Sequence, residues 1–256
     1  MSNPPKLSIV IPAYKEEKNI YKTIDAILKA HHDLPYETEV IVVVDGSPDK
    51  TAEQARRHTD PRVHVYDYMP NHGKGYALKY GAKKAKGEIL TFADAGGDFD
   101  PEQYDRCVLL MEAFDADMVI GSKRHPASRV KYPLNRRILS AGFQFGVRLL
   151  FGLNVTDTQT GLKFLRRKVA LDVLPRVLVK QYAFDLEMLV VAHQLGYTRI
   201  FEAPVDLDFA TEGPSAASWK AIKKMIIDTL AVFYRARILD YYRKQKRTGK
   251  TSEPTS

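Results

Sequence analysis

Short apolar runs alternate along the first half of the chain with stretches whose apolar positions recur at helical spacing. Leu7 to Pro12 (LSIVIP) is a β-branched run closed by proline, the pattern of a buried strand. From Glu16 to His31, Ile20, Ile24, Ile27 and Leu28 share one face and predict a helix. Glu39 to Val44 (EVIVVV) predicts a second strand, stopped by the turn-rich Asp45-Gly46-Ser47-Pro48. A short helix over Thr51 to His58 and a strand over Val63 to Tyr66 follow. Gly75 to Lys86 reads as a helix ending at Gly87, and Glu88 to Ala93 (EILTFA) as a strand ending at Asp94. Pro101 to Phe114 reads as helical, and Met118 to Gly121 as another short strand. This alternation predicts an α/β fold, Rossmann-like, with a mostly parallel sheet and helices on both faces. Ligands of such sheets bind at the carboxyl ends of the strands. Pro12-Ala13-Tyr14, Asp45-Gly46-Ser47 and Asp94-Ala95-Gly96 all fall there.

The second half is patterned differently. Arg129 to Leu153 is cationic at its start, then apolar and aromatic, and Ile138 to Leu153 is too short and too charged, with Arg148, to span a bilayer securely. Thr156 to Phe164 reads as a polar loop entering a strand or turn. Phe184 to Leu195 reads as a helix and Arg199 to Val205 as a strand. A long basic amphipathic segment runs from Trp219 to Arg247, and the tail from 248 to 256 reads as disordered. No internal repeat is visible.

Composition narrows the function. The 39 basic and 31 acidic residues leave a net charge of +8, which favours anionic partners. With Cys107 as the single cysteine, no intrachain disulfide forms and a reducing compartment is expected. The first six residues are polar and proline-bearing and lack an apolar signal segment. Gly73-Lys74-Gly75 before a helix can aim N–H groups and an ammonium at phosphates, but the full phosphate-loop pattern is missing, which argues against a GTPase or kinase. His72 reads as a loop residue. His31-His32, at a helix end, reads as a pair of cationic side chains suited to the helix dipole. Thr91 to Pro101 (TFADAGGDFDP) places three carboxylates and two glycines where a strand ends, a donor set for a hard cation such as Mg²⁺ or Mn²⁺.

Six segments together resemble family 2 glycosyltransferases of the GT-A fold. They are Ser8–Ile20, Val42–Thr51, Asn71–Ala95, Gly121–Arg124 (GSKR), Asp157–Phe164 (DTQTGLKF) and Ala183–Leu189 (AFDLEML). Within that family the chain is similar to the polyprenyl-phosphate group, the dolichyl-phosphate glucose and mannose synthases. The resemblance implies one GT-A domain over 1–212, including an acceptor-side amphipathic segment at 129–153, with membrane-interface helices over 213–247. It places Pro12, Tyr14, Glu16, Val43, Asp45, Lys74, Asp94, Ala95, Gly96 and Lys123 around the nucleotide sugar. Val44 stands where the family has the first aspartate of Asp-Asp-Gly-Ser. Asp45 matches the second, set against the nucleoside; read alone, it is a turn residue at a strand end.

The family's Asp-Ala-Asp aligns with Asp94-Ala95-Gly96, so its second aspartate is lost. A Mg²⁺ or Mn²⁺ cofactor is then expected on Asp94 and Asp98, with Gly96-Gly97 letting the loop curl. Asp98-Phe99-Asp100 is a rival register, and loss of metal binding is a third outcome. Asp100 otherwise caps the helix begun by Pro101. Lys123, Arg124, Arg136 and Lys163 are expected on the acceptor phosphate, and Asp94, Gln159, Lys163 and Asp185 at the reaction. Asp157 is expected to line the same site, and Glu187 there or as a structural partner. The family's lysine in a Gly-x-Ser-Lys loop falls on Ala216 here, which leaves Lys220, Lys223 or Lys224 to compensate.

The implied activity is inverting transfer of a hexose from UDP-glucose or GDP-mannose to a polyprenyl phosphate. The expected place is peripheral, on the cytoplasmic face of an anionic membrane, with room for a membrane-anchoring subunit. A polysaccharide or protein acceptor, or a non-catalytic GT-A-like binding protein, remains an alternative. Nucleic acid is not an expected partner, since phosphate and membrane contacts account for the charge.

Overall fold

The computed structural model describes residues 4–96, 100–130, 134–179, 183–207 and 219–244. Strands β1 (Leu7–Ala13) and β2 (Thr38–Asp45) are buried along nearly their whole length, because helices cover both faces of their sheet. They pair in parallel from Leu7 beside Thr38 to Ala13 beside Val44. β3 (Val63–Tyr68) flanks β2 and β4 (Ile89–Phe92) flanks β1, both in parallel. β5 (Met118–Ser122) belongs to the far half of the sheet, and β7 (Lys163–Arg166) enters between β4 and β5, antiparallel to both. β8 (Ile200–Pro204) lies beside β5 in parallel. The seven-stranded order is β3-β2-β1-β4-β7-β5-β8. β6 (Arg129–Val130) and β9 (Asp206–Leu207) form a separate two-stranded ribbon.

The period of two along each strand sorts side chains into two cores. Ile9, Ile11, Val40 and Val42 pack with α1 (Ile20–Ala30), α2 (Thr51–Arg56) and α4 (Gln103–Ala113). Val10, Ile41, Val43 and Leu90 face the other way, toward α3 (Lys74–Lys84), α6 (Arg167–Val173) and α7 (Phe184–Gln194). The same core takes in Val147 and Phe151 of α5 (Leu134–Phe151) and Val232 of α8 (Trp219–Phe233). α3 lies directly on the sheet: a Cβ at Gly81 would stand 2.3 Å from a methyl of Val10.

The reversal of β7 shapes the site. Its first residue, Lys163, pairs with Ile120 of β5, and Phe164 pairs with Thr91 of β4. The start of β7 therefore lies at the same sheet edge as the ends of β1, β2, β4 and β5.

Several expectations need correction. α4 begins at Gln103, not at Pro101: the Asp100 carboxylate accepts the Glu102 N–H at 3.0 Å and its carbonyl accepts the Gln103 N–H, so Asp100 organises the turn ahead of the helix. The segment from Trp219 is broken: α8 passes into a π-helical turn (Tyr234–Ile238), and Asp240, at φ +49°, precedes the short α9 (Tyr241–Lys244). Arg235 turns inward there to a buried carboxylate, while Arg237, itself exposed, donates to the carbonyls ending α5. His31 is not a cationic helix end. It is buried, its Nδ1 donates to the Ile27 carbonyl at 2.8 Å, and burial pushes its pKa down. α6 was not foreseen at all.

Candidate active site at the carboxyl edge of the sheet

Asp45 ends β2 and is buried. Its two carboxylate oxygens accept the N–H groups of His72 and Gly73, at 2.8 and 2.7 Å. Asn71 donates to its carbonyl at 2.7 Å. Asp45 thereby seats the loop that leads into α3. Gly46 follows at φ +59°, and a Cβ there would lie 2.2 Å from the Asn71 nitrogen, so only glycine fits between the two loops. Burial, and then the Asp45 carboxylate, push the Tyr68 hydroxyl above the usual tyrosine range. Beside this loop Tyr68 and Tyr76 meet edge to face at 5.3 Å, and the His72 ring lies tilted against both.

The loop after β1 is tied to the loop after β2. The Lys15 N–H, at φ +60°, donates to Ser47 at 2.8 Å, and the Glu16 N–H to Thr51 at 2.9 Å. Asp49 accepts from Ser47 and Thr51, and these hydrogen bonds, against burial, hold its carboxyl below the usual range. Tyr14 is exposed beside Lys15, and Glu16 accepts from Asn19 at 3.0 Å. Pro12 precedes this loop within β1. Val43 points into the core against Gly81, which leaves its main chain for any ligand contact.

Asp94 follows β4, partly exposed, and is ion-paired with Lys74 at the start of α3. Ala95 is buried, and its carbonyl accepts the Thr23 hydroxyl at 2.7 Å, which pins the loop to α1. Gly96 is exposed. Asp98 lies outside the described residues, as does Ala216. Among the described residues no three His, Cys, Asp or Glu side chains converge. The one carboxylate in place, Asp94, already attracts a cation, the Lys74 ammonium. A hard oxygen donor at a strand end fits Mg²⁺ or Mn²⁺, which takes one or two carboxylates and completes its shell with substrate phosphates.

Lys163 is 1% exposed, pairs with Asp185 of α7 at 3.0 Å and also donates to the Thr160 carbonyl. Two residues separated widely in the chain meet here because β7 is reversed and α7 starts at this edge. Gln159 lies beside Thr160, and its side-chain Nε2 is buried with no acceptor among the described residues. Asp157 sits between Lys123 and Gln159. It is buried, and it accepts from the N–H groups of Lys123 (3.1 Å) and Gln159 (3.0 Å) and from the Thr160 hydroxyl (2.7 Å). Glu202 of β8 holds the same loop through Thr156 and the Asp157 N–H. Sequence reading missed Glu202; its signal is a lone acid inside an otherwise apolar strand. Lys123 and Arg124 sit just past β5, beside that loop. Arg136 lies in α5, its side chain outside the described part, and so does that of Lys220 in α8; Lys223 and Lys224 are exposed.

The edge thus gathers the loop seated by Asp45, the Asp94–Lys74 ion pair, and a buried Lys163 paired with a partly exposed Asp185. The family model for glycosyl transferase family 2 matches residues 8–174. A dolichyl-phosphate beta-glucosyltransferase of Drosophila melanogaster is 34% identical over 209 residues, covering 74% of this chain and 63% of that protein. The chain thus spans a little under two thirds of that relative's length. An undecaprenyl-phosphate mannosyltransferase of Micrococcus luteus is 31% identical over 86% of this chain and 90% of its own. Among solved structures, mannosyl-3-phosphoglycerate synthase from Rubrobacter xylanophilus superposes with a TM-score of 0.69 at 18% identity, over 97% of this chain and 79% of that one. Glucosyl-3-phosphoglycerate synthase from Mycobacterium tuberculosis, solved with Mn²⁺ and UDP-glucose, gives 0.64 at 21% identity, over 90% and 79%. The sheet is that of the GT-A fold, and the chain belongs to glycosyltransferase family 2.

Proposed function

We propose that the chain transfers a hexose, with inversion, from UDP-glucose or GDP-mannose to a polyprenyl phosphate at a membrane surface. The observation that carries this reading is the meeting of Asp94–Lys74 and Lys163–Asp185 at one sheet edge. The two named relatives, which act on dolichyl and undecaprenyl phosphate, support the acceptor class.

The nucleoside would lie against Pro12, Tyr14, Glu16 and the Asp45-seated loop. Lys74 directly follows that loop, at the first position of α3, and would exchange Asp94 for the donor's phosphates. A divalent cation on Asp94, with Asp98 as the second protein ligand, would supply charge neutralisation of the departing nucleoside diphosphate. The acceptor phosphate is already anionic and needs little help from a base. Its oxygen attacks the anomeric carbon as the bond from that carbon to the diphosphate oxygen breaks. Lys163, with Lys123, Arg124 and Arg136, would steer the incoming phosphate, while Asp185 orients the Lys163 ammonium and Gln159 donates to the sugar or the phosphate. Attraction in a dry site is far stronger than in water, which suits a lysine as buried as Lys163.

The test is a screen of UDP- and GDP-sugars with the purified chain, Mn²⁺ and a short polyprenyl phosphate, followed by calorimetry of Mn²⁺-dependent UDP and GDP binding. Transfer to the lipid with one donor is expected, and Asp94→Ala and Asp98→Ala each weaken metal-dependent binding at least tenfold. Asp94→Ala lowers transfer about 100-fold or more. Sugar-nucleotide hydrolysis with no lipid product overturns the acceptor assignment. Unchanged metal-dependent binding in both variants overturns the metal assignment.

A further inference from the structure

Glu187 lies two residues beyond Asp185 on α7, is fully buried, and has no part in the chemistry above. A buried carboxylate is tolerated only when its oxygens are bonded, and this one has four partners. One oxygen accepts the N–H groups of Leu178 and Val179, at 2.7 and 2.6 Å. The other accepts the Arg235 guanidinium at 2.8 Å and the Tyr242 hydroxyl. Arg235 also donates to the Tyr242 oxygen at 2.9 Å, so the three side chains close a triangle. Burial works against the Arg235 charge, yet Tyr242 and Glu187 outweigh it and hold the guanidinium above its usual range. Burial, then the Glu187 carboxylate, push the Tyr242 hydroxyl up, so it stays a donor.

The triangle joins pieces of chain that both ion pairs depend on. The Val177 carbonyl accepts Lys79 of α3 at 2.6 Å. A Cβ at Gly75 would lie 3.3 Å from the Phe184 ring and 3.9 Å from the Val179 carbonyl, so the loop and the start of α7 rest on the turn of α3 that carries Lys74. On the other side, Asp185 leaves the same first turn of α7 to meet Lys163. Glu187 therefore ties the C-terminal helical segment to the backbone between Lys74–Asp94 and Lys163–Asp185.

We propose that Glu187, clasped by Arg235 and Tyr242, is a positioning residue for sugar transfer: it fixes the 177–179 loop and the first turn of α7 so that Asp185 and Lys163 meet the reacting groups. The C-terminal segment is then part of the catalytic unit. A buried ion pair is weak evidence for stability, whereas geometry near reacting atoms is steeply coupled to rate. The inference rests on the role given to Asp185 above.

The test uses the full chain and Tyr242→Phe, which removes one donor to Glu187 and keeps the ring. A second variant, Arg235→Lys, keeps the charge and loses the planar fork. Both are expected to lower kcat of lipid transfer about 10- to 100-fold while donor KM stays within about twofold. Hydrogen exchange at the Leu178 and Val179 amides is expected to quicken, with or without substrate. In an Asp185→Asn background, Tyr242→Phe is expected to add less than about twofold, since the two act through one group. Unchanged kcat in both variants overturns the proposal, as does a lowered melting temperature with native kcat per folded molecule. So does a full, independent loss in the Asp185→Asn background. An Asp185→Asn chain with native kcat strikes the assignment of Asp185 first and takes this coupling with it; a slow Asp185→Asn beside a native Tyr242→Phe strikes the coupling alone.

Discussion

Asp45, Asp94 and Asp185 sit at one edge of the sheet and differ in how fully the fold already uses them. Asp45 gives both oxygens to backbone N–H groups 27 and 28 residues away, so its contribution to a donor pocket is the loop it seats. Asp94 and Asp185 each hold a lysine and stay partly exposed. The ring of His31 shows the opposite extreme, a buried titratable group with no site around it. Its Nδ1 donates to Ile27, and its Nε2 has no partner among the described residues. Protonation would bury an N–H⁺ without an acceptor. Desolvation lowers the pKa of His31, with Arg62 assisting and the Ile27 carbonyl and Asp105 opposing. A lowered histidine pKa means that the unfolded chain binds the proton first, below about pH 6.5. Stability is therefore full above that pH and falls as the pH drops from it toward the folded-state pKa. Thermal melts between pH 7.5 and 5.5 should show this loss in the native chain and a shallower one in His31→Gln. Equal slopes would remove His31 from the acid response.

At the scale of elements, α5 depends on the C-terminal segment for its last turn. Gly152 follows it at φ +69°, and its N–H returns to the Arg148 carbonyl at 2.9 Å, a left-handed helix stop. Arg237 then donates to the Phe151 carbonyl at 3.0 Å, placing a cation at the negative end of the helix dipole. Arg237→Ala should cost about 1 kcal/mol or less, given its exposure. That is a fall in melting temperature of at most roughly 2–4 °C for a chain of this size, read by calorimetry. An unchanged melt would show that the contact contributes nothing. The strands and helices of the first half were legible in the sequence because parallel strands buried on both faces, and amphipathic helices over them, leave strong period-two and 3.6-residue signals. The site loops were legible as strand ends carrying Asp45 and Asp94. What was not legible depends on contacts remote along the chain. The reversed β7 sets Lys163 beside Asp185; Asp157 and Glu202 brace a loop; Arg235 turns inward from a π turn, and Arg237 reaches the end of α5. Apart from the lone acid that Glu202 makes in an apolar strand, none of these leaves a local pattern, because each is decided by a partner that the spacing of residues does not reveal. α6, seven residues long, is too short to show its period.

At the scale of the whole molecule, charge and exposed apolar surface point to a bilayer. No described helix is long and apolar enough to cross one. Yet α5 exposes Phe145 at 72% and Leu149 at 76%, while its buried Gln144 and Val147 face the loop and core. α8 exposes Ile226, Ile227 and Leu230, and the π turn exposes Tyr234 and Ile238. Lys223 and Lys224 lie beside them, on a chain with a net charge of +8. Full burial of a large apolar side chain contributes roughly 1.5–3 kcal/mol, so partial insertion of a few yields only weak binding. Attraction of each nearby Lys or Arg to anionic lipid adds about 1 kcal/mol and is screened by salt. The two together predict reversible attachment that needs anionic headgroups. Vesicles containing phosphatidylserine should carry the chain upward in flotation at low salt, and neutral phosphatidylcholine vesicles should carry much less. Raising salt toward 1 M, where screening acts within about 3 Å, should release most of it. Ile226→Glu with Leu230→Glu should weaken attachment at least tenfold, since each change exchanges apolar burial for repulsion from the headgroups. Equal flotation on neutral and anionic vesicles would discard the electrostatic half of this account, and none on either would discard it all. Attachment would also bear on the rate of the proposed reaction: were the acceptor a polyprenyl phosphate confined to the bilayer, a chain held there would meet it at a far higher effective concentration than one free in solution.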